Sequence, residues 1–296
     1  MRRVFFIVGP TAVGKSDLAA EVADRLGAEV ISADAFQIYR GLDLLTAKPD
    51  AQTLAKAPHH LIGVAPLSER MDAEKFRVAA ENVIARGVPA IVVGGTGLYI
   101  KALTHGLATL PAANERLRLK LEGATDHELF RSLERLDPSG AEKIDRRNRR
   151  RLIRAVEVCL LTGEPFSRRR SEWNNPPETH GILLCRDRAD LYTRINQRVE
   201  EMFRAGVVEE VRETKDIGPT ADKTLGFRQI RALIAGEISR SDCIADIQQA
   251  TRRYAKRQLT WFRRQTNFPS LNLSAHRRSE AVELISQGAS RVLAPE

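Results

Sequence analysis

The apolar run Val4-Phe5-Phe6-Ile7-Val8 leads directly into Gly9-Pro10-Thr11-Ala12-Val13-Gly14-Lys15-Ser16. That octapeptide fits G-x-x-x-x-G-K-[ST], the loop that cradles phosphates between a strand and a helix. Glycines let the backbone turn tightly and bring several N–H groups to one anion. Lys15 supplies a point charge, and Ser16 a hydroxyl for Mg²⁺. A helix opening near Lys15 directs its positive end at the same anion. Leu18, Ala19, Val22 and Leu26 recur at helical spacing, and Gly27 stands where a C-cap glycine belongs. The motif predicts a polyphosphate site of the type that often holds ATP. It leaves open which polyphosphate is bound and what is done with it.

Val4–Val8, Glu29–Ser32 and Ala90–Val93 read as buried parallel strands, each separated from the next by a helical pattern. Gly181-Ile182-Leu183-Leu184-Cys185 reads as a fourth strand. The series predicts an α/β fold, a P-loop NTPase-like parallel sheet flanked by helices. Between these strands lies a purely helical and strongly basic stretch. It closes with a polar loop, residues 171–179, that carries Pro176 and Pro177. The expected organisation is a core of residues 1–112 and 181–296 with a helical, basic insertion domain over 113–180. From Leu191 onward the chain reads as helical, and from about Pro269 the patterning is weak.

The chain carries 47 Lys and Arg against 38 Asp and Glu, a net charge of +9. That surplus points to a polyanionic partner. Its distribution is more informative than its sum. Over 145–161, Leu152, Ala155, Val156, Cys159 and Leu160 form one helical face, and Arg147, Arg150, Arg151 and Arg154 fall on the other. Near the C-terminus, Ala255, Gln258, Leu259 and Phe262 make an inner stripe bordered by Arg252, Arg253, Lys256, Arg257, Arg263 and Arg264. Both patterns set arginines on a packed helix towards phosphate. No apolar run is long enough to span a membrane. Met1-Arg2-Arg3 passes straight into the first strand, so no leader peptide is expected. Cys159, Cys185 and Cys243 suit neither a disulfide framework nor a zinc site, and a cytoplasmic protein is expected. No heptad or spare apolar stripe stands out, so a monomer is expected.

The run Val30-Ile31-Ser32-Ala33 ends in Asp34, which places a carboxylate at the ligand-binding ends of the strands. It suits a Mg²⁺ ligand, a general base, or a cap for the next helix. Val93-Gly94-Gly95-Thr96-Gly97-Leu98-Tyr99 follows another strand end, with a hydroxyl at Thr96. Alone, Gly-Gly-Thr-Gly fits a packing turn as well as a site.

Taken together, these segments resemble the tRNA dimethylallyltransferases. The loop, Ser32-Ala33-Asp34-Ala35-Phe36-Gln37-Ile38-Tyr39-Arg40-Gly41, Thr46-Ala47-Lys48-Pro49, Pro58-His59-His60-Leu61-Ile62 and the Gly-Gly-Thr-Gly turn stand in the family's order and spacing. So do Arg151–Val158, Arg194–Val199, Gly226–Gln229 and Ala255–Trp261, and the likeness covers nearly the whole chain.

The resemblance implies transfer of a dimethylallyl group from dimethylallyl diphosphate to N6 of adenosine 37, beside the tRNA anticodon. It implies Asp34 as general base, Lys15 and the loop N–H groups on the leaving diphosphate, Mg²⁺ held through Ser16, and Arg198 as a diphosphate grip helped by Arg194. Asp34, Ala35, Phe36, Gln37 and Thr96 correspond to family contacts with the extruded base and its surroundings. Arg118 and the stretch Arg150, Arg151, Leu152, Ile153, Arg154 correspond to contacts with tRNA, whose anticodon stem-loop is the implied partner.

Three positions depart from the family pattern: Ala35 stands where serine is common, Leu45 for a usual glycine, and Gly63 for a usual aspartate. The same loop also serves small-molecule kinases and nucleotide-level isopentenyltransferases. A small acceptor, however, needs neither arginine cluster. An RNA-binding NTP switch would need a γ-phosphate sensor, and none is identifiable.

Overall fold

The computed structural model describes residues 3–107, 110–170 and 179–294. The polar loop predicted over 171–179 lies outside them except for Thr179. The chain divides into two units, one of Met1–Thr104 with Pro177–Glu296, the other His105–Pro176.

The first unit is built on strands β1 (Val4–Val8), β2 (Glu29–Ser32), β3 (His59–His60), β4 (Ala90–Gly94), β5 (His180–Cys185) and β6 (Ser270–Asn272). They form one sheet in the order β3-β2-β4-β1-β5-β6. Every pairing is parallel. A parallel sheet buried on both faces needs continuous apolar strands, and β1 and β4 are buried at every position. Val8 is in register with both Gly94 and Leu183, and Ser32 with Val93. The segments that follow β1, β2, β4 and β5 therefore leave the sheet at one edge.

Helices α1 (Lys15–Leu26), α2 (Ala51–Leu54), α3 (Ala73–Ile84) and α4 (Gly97–His105) follow the early strands. Gly27 closes α1 in the left-handed conformation, as its position predicts.

The second unit holds α5 (Glu115–Gly123), α6 (Asp126–Leu136), α7 (Pro138–Lys143), α8 (Arg149–Thr162) and α9 (Phe166–Arg170). Its core sets Leu129, Phe130 and Leu133 of α6 against Leu152, Ala155, Val156 and Cys159 of α8. Thr125 and Glu128 start α6 with a capping box. The unit begins earlier than residue 113. Arg154 donates to the Pro111 carbonyl and Glu157 accepts from the Asn114 N–H, so the segment entering α5 is fastened to α8.

The chain returns to the first unit through β5 and α10 (Arg188–Arg204), α11 (Val207–Glu213), α12 (Phe227–Ile234), α13 (Arg240–Gln265) and α14 (Arg278–Leu293). Helices α1 and α14 pack together on one side of the core, through Leu18, Val22, Val282 and Ile285. Helices α10 to α13 build a further cluster around Phe203, Val207, Phe227 and Ile247.

Strands β3 and β6 and helix α14 are not evident in the sequence. The two strands are too short to show a period. The buried stripe of α14 includes Ala281, Ser286 and Ala289, whose small side chains give a weak apolar signal. Strand β6, which pairs with β5 at the sheet edge, falls in the weakly patterned stretch after Pro269.

Candidate active site

The phosphate loop is held by its carbonyls. Lys15 Nζ donates to the Pro10 carbonyl at 2.7 Å, Arg194 Nε to Ala12 at 2.9 Å, and Arg186 Nε to Val13 at 3.0 Å. Gly14 caps α1 at φ 103°, a conformation that other residues adopt only under strain. With these carbonyls occupied by cations, the loop N–H groups and the first turn of α1 are what the loop offers an anion.

Arg198 lies one turn beyond Arg194 on α10, and its Nη1 donates to Thr11 Oγ1 at 3.4 Å. The clustered cations perturb one another. Burial pushes the Lys15 ammonium down to about 7; Asp34 opposes that shift and Arg198 adds to it. Burial and then Arg194 lower Arg198 as well. A bound polyanion would relieve both, because an opposite charge favours the protonated form. Arg186 is not evident in the sequence. Its only signal there is a charged residue directly after an apolar strand.

Asp34 follows β2. Its Oδ1 accepts from the backbone N–H of Phe36 at 2.9 Å and of Gln37 at 3.2 Å, which fixes the turn after it. The capping role and a chemical role therefore use different atoms: Oδ1 holds the turn, and Oδ2 accepts no hydrogen bond from the described residues. Thr96 Oγ1 accepts from the Ala35 N–H at 3.0 Å, so the β4 and β2 ends are tied together. Burial, and then the nearby Asp34 charge, raises the Tyr254 phenol of α13 so that it stays neutral.

A cleft of about 320 Å³ runs along these strand ends, within the range of small-ligand sites. Of the predicted residues, Thr11, Ala12, Gly14, Lys15, Ser16, Asp34, Gln37 and Arg198 line it. Gly9, Pro10 and Val13 of the loop are buried and do not line the cleft. Ala35, Phe36 and Thr96 are half-buried and do not line the cleft. The Gln37 amide donates to the Thr46 and Ala47 carbonyls, at 3.3 and 3.0 Å, and so shapes the wall that it lines.

Two of the departures have local explanations. Leu45 is buried, and a Cβ at Gly226 would come within 3.0 Å of it, so the glycine leaves room for the larger side chain. Gly63 has a φ of +63°, where a side chain is strained, and a Cβ there would lie at an ordinary contact distance of 3.7 Å from Lys48 Nζ. That ammonium is held by Asp43 and the Tyr39 and Gly41 carbonyls. The structure offers no account of Ala35.

Gln258 has a role that its place in a helical stripe does not reveal. Its Oε1 accepts from the Thr11 N–H at 2.8 Å, and its Nε2 donates to the Gly95 carbonyl at 2.8 Å. Gly95 is required here, because a Cβ would stand 2.2 Å from that nitrogen. A packing turn and a site coincide in this motif.

In the insertion unit, Arg150 and Arg151 are exposed on α8. Leu152 and Ile153 belong to the unit's core, 0% and 8% exposed. Their side chains are thus corrected from candidate tRNA contacts to packing residues. The predicted inner face also changes. Leu160 is 50% exposed, whereas Glu157 is fully buried. Glu157 takes Arg118 and Arg154 as partners, so those two arginines are not free surface charges.

Mg²⁺ fits this cleft only as an ion shared with a ligand. Ser16 offers one hydroxyl to a cleft that Asp17 and Asp34 also line. Among the described residues, no group of three or more His, Cys, Asp or Glu side chains could hold a metal ion. Mg²⁺ usually binds through one or two protein groups plus phosphates and water, which this donor set matches.

The IPP transferase family profile matches residues 37–265. The chain belongs to the IPP transferase family. It is 40% identical over 264 residues to the tRNA dimethylallyltransferase of Akkermansia muciniphila, covering 88% of this chain and 90% of that protein. It is 43% identical over 271 residues to tRNA dimethylallyltransferase 1 of Citrifermentans bemidjiense, covering 88% and 89%. Among solved structures, the full-length tRNA isopentenylpyrophosphate transferase of Bacillus halodurans is similar, at 33% identity and a TM-score of 0.73, over 99% of this chain and 97% of that one. A eukaryotic dimethylallyltransferase captured acting on tRNA aligns at 25% identity and a TM-score of 0.79, over 93% and 75%. As an IPP transferase, the chain shares its overall fold with these two solved structures. No helix among the described residues is long and apolar enough to cross a membrane.

Proposed function

We infer that this IPP transferase is a tRNA dimethylallyltransferase. Its substrates are dimethylallyl diphosphate and the adenosine at position 37 of tRNA. The observation that carries this reading is the pairing, in one cleft, of a cation-lined phosphate loop with the Asp34 carboxylate.

An exocyclic adenine amine is a poor nucleophile, because its lone pair is delocalised into the ring. Attack of N6 on the allylic carbon forms the C–N bond as the C–O bond to diphosphate breaks. Asp34 takes the N6 proton through Oδ2, while Oδ1 keeps the turn in place. Lys15, Arg198 and the loop N–H groups bind the diphosphate and stabilise the charge that grows on it. Ser16 would hold a Mg²⁺ ion, which would supply further charge neutralisation when bound. The base must leave its stack to react, and it is assigned to the side of the cleft lined by Gln37, with Ala35, Phe36 and Thr96 beside that wall. Arg150 and Arg151 offer the insertion unit's charge to tRNA phosphates. The protein acts as a monomer in the cytoplasm.

The test supplies labelled dimethylallyl diphosphate and Mg²⁺ with either unmodified tRNA or AMP. Acid-precipitable label in tRNA supports the reading. Label in AMP alone replaces it with a nucleotide-level isopentenyltransferase.

A further inference from the structure

The two ends of the reaction meet in the side chain of one residue that the mechanism does not use. Gln258 is 6% exposed, and its amide faces Thr11 on one side and Gly95 on the other. Its orientation is fixed by chemistry, since a backbone N–H only donates and a carbonyl only accepts. Thr11 also accepts from Arg198, on the diphosphate side. Thr96, next to Gly95, accepts from Ala35, the neighbour of Asp34. A hydrogen-bonded path therefore runs from Arg198 to the residue beside Asp34, and the Gln258 amide is its middle member. Helix α13 keeps that amide in place. Ala255 and Phe262 are fully buried on the same face, and the Trp261 ring lies where a Cβ at Gly97 would come within 2.5 Å.

We propose that Gln258 is a positioning residue that sets the spacing between the diphosphate grip and the base-side turn. This rests on the transfer reaction inferred above. In-line displacement depends on the separation of the attacking nitrogen and the allylic carbon, and misplacement of about 1 Å costs roughly 10²-fold in rate. Gln258 lines the cleft, but its amide is taken up by the Thr11 N–H and the Gly95 carbonyl. Its effect falls on the rate of the chemical step rather than on the affinity for either substrate.

Two variants test this. Gln258→Glu keeps an acceptor for the Thr11 N–H but sets a second carboxylate oxygen against the Gly95 carbonyl. Gln258→Leu fills similar space and makes neither bond. Each is compared with the wild-type protein at matched pH, by single-turnover transfer to tRNA, by Kd for each substrate and by thermal unfolding. For both variants the expected result is a rate lowered by about 10²-fold at neutral pH, with Kd values near wild type. As pH falls, the glutamate variant recovers towards wild type, because its protonated carboxyl can donate to Gly95. The leucine variant does not recover. A purely structural role would lower the unfolding temperature and weaken substrate binding along with the rate, with no acid recovery. Wild-type rates in both variants, or equal deficits at every pH, overturn the proposal alone. A wild-type protein inactive on tRNA overturns the functional reading and this proposal with it.

Discussion

Arg118 and Glu157, 39 residues apart, meet in a two-bond ion pair, Nε to Oε1 at 2.9 Å and Nη2 to Oε2 at 3.0 Å. Arg154 and the Asn114 N–H occupy the remaining acceptor capacity of the carboxylate. A buried charge is tolerated only when it is paired and hydrogen-bonded, and here every partner comes from within the insertion unit. Removing the carboxylate leaves two arginines without their counter-charge. Glu157→Ala should therefore cost about 3–5 kcal/mol, read as a lower urea midpoint. A midpoint equal to that of the wild type would show that the pair is not structural.

The same carboxylate predicts an acid response. Burial alone would raise Glu157, but the bonds from Arg118, Arg154 and Asn114 outweigh it and hold the group below the usual carboxylate range. A depressed folded-state pKa gives stability that is complete above the unfolded value of about 4.3. It is lost as pH falls through the lower folded value. Thermal unfolding of wild type should thus become more acid-sensitive below about pH 4 than that of Glu157→Gln. Parallel pH curves would contradict this.

The arginines of α8 should separate by function. Arg150 and Arg151 are exposed, whereas Arg154 serves Glu157. Arg150→Ala with Arg151→Ala should weaken tRNA binding and reduce its log–log salt slope by about 0.7–0.9 for each phosphate no longer neutralised, without changing the unfolding temperature. Arg154→Ala should lower that temperature. An unchanged salt slope in the double variant would remove Arg150 and Arg151 from the interface.

Lys15, pushed down to about 7 by burial, must be protonated to hold an anion. Dimethylallyl diphosphate affinity should fall as pH rises above about 7, because binding then has to supply the missing proton. Lys15→Met should bind weakly at every pH and lose this part of the dependence. Equal pH slopes in the two proteins would show that Lys15 stays charged.

What the sequence makes legible is what recurs locally. The phosphate loop, Asp34 at a strand end and the Gly-Gly-Thr-Gly turn are each contiguous in the chain, and so are the strands that carry them. Arg198 needs the family resemblance, because a lone helical arginine carries no signal of what it faces. Gln258, Arg186 and Glu157 depend on contacts between distant segments. Gln258 reaches Thr11 across 247 residues and Arg186 reaches Val13 across 173. Glu157 defeats the helical pattern because a buried charge takes the place that the pattern gives to Leu160, and only its two arginine partners make that position tenable.

Asp34 carries the central chemical claim, and the division of work between its oxygens makes it testable. Asp34→Asn keeps an acceptor for the Phe36 and Gln37 N–H groups, so the turn and the unfolding temperature should persist. Loss of a general base should lower turnover by about 10²–10⁴-fold, with tRNA binding retained. Full turnover in this variant would reduce Asp34 to a turn-capping residue.

The most direct measurement is the chemical identity of the product. The protein is incubated with dimethylallyl diphosphate, Mg²⁺ and unmodified tRNA. The RNA is then digested to nucleosides and to mapped fragments for mass spectrometry. The predicted result is N6-dimethylallyladenosine, confined to the adenosine at position 37. Unmodified adenosine at that position, with the diphosphate ester intact or its dimethylallyl group on free AMP, would contradict the account.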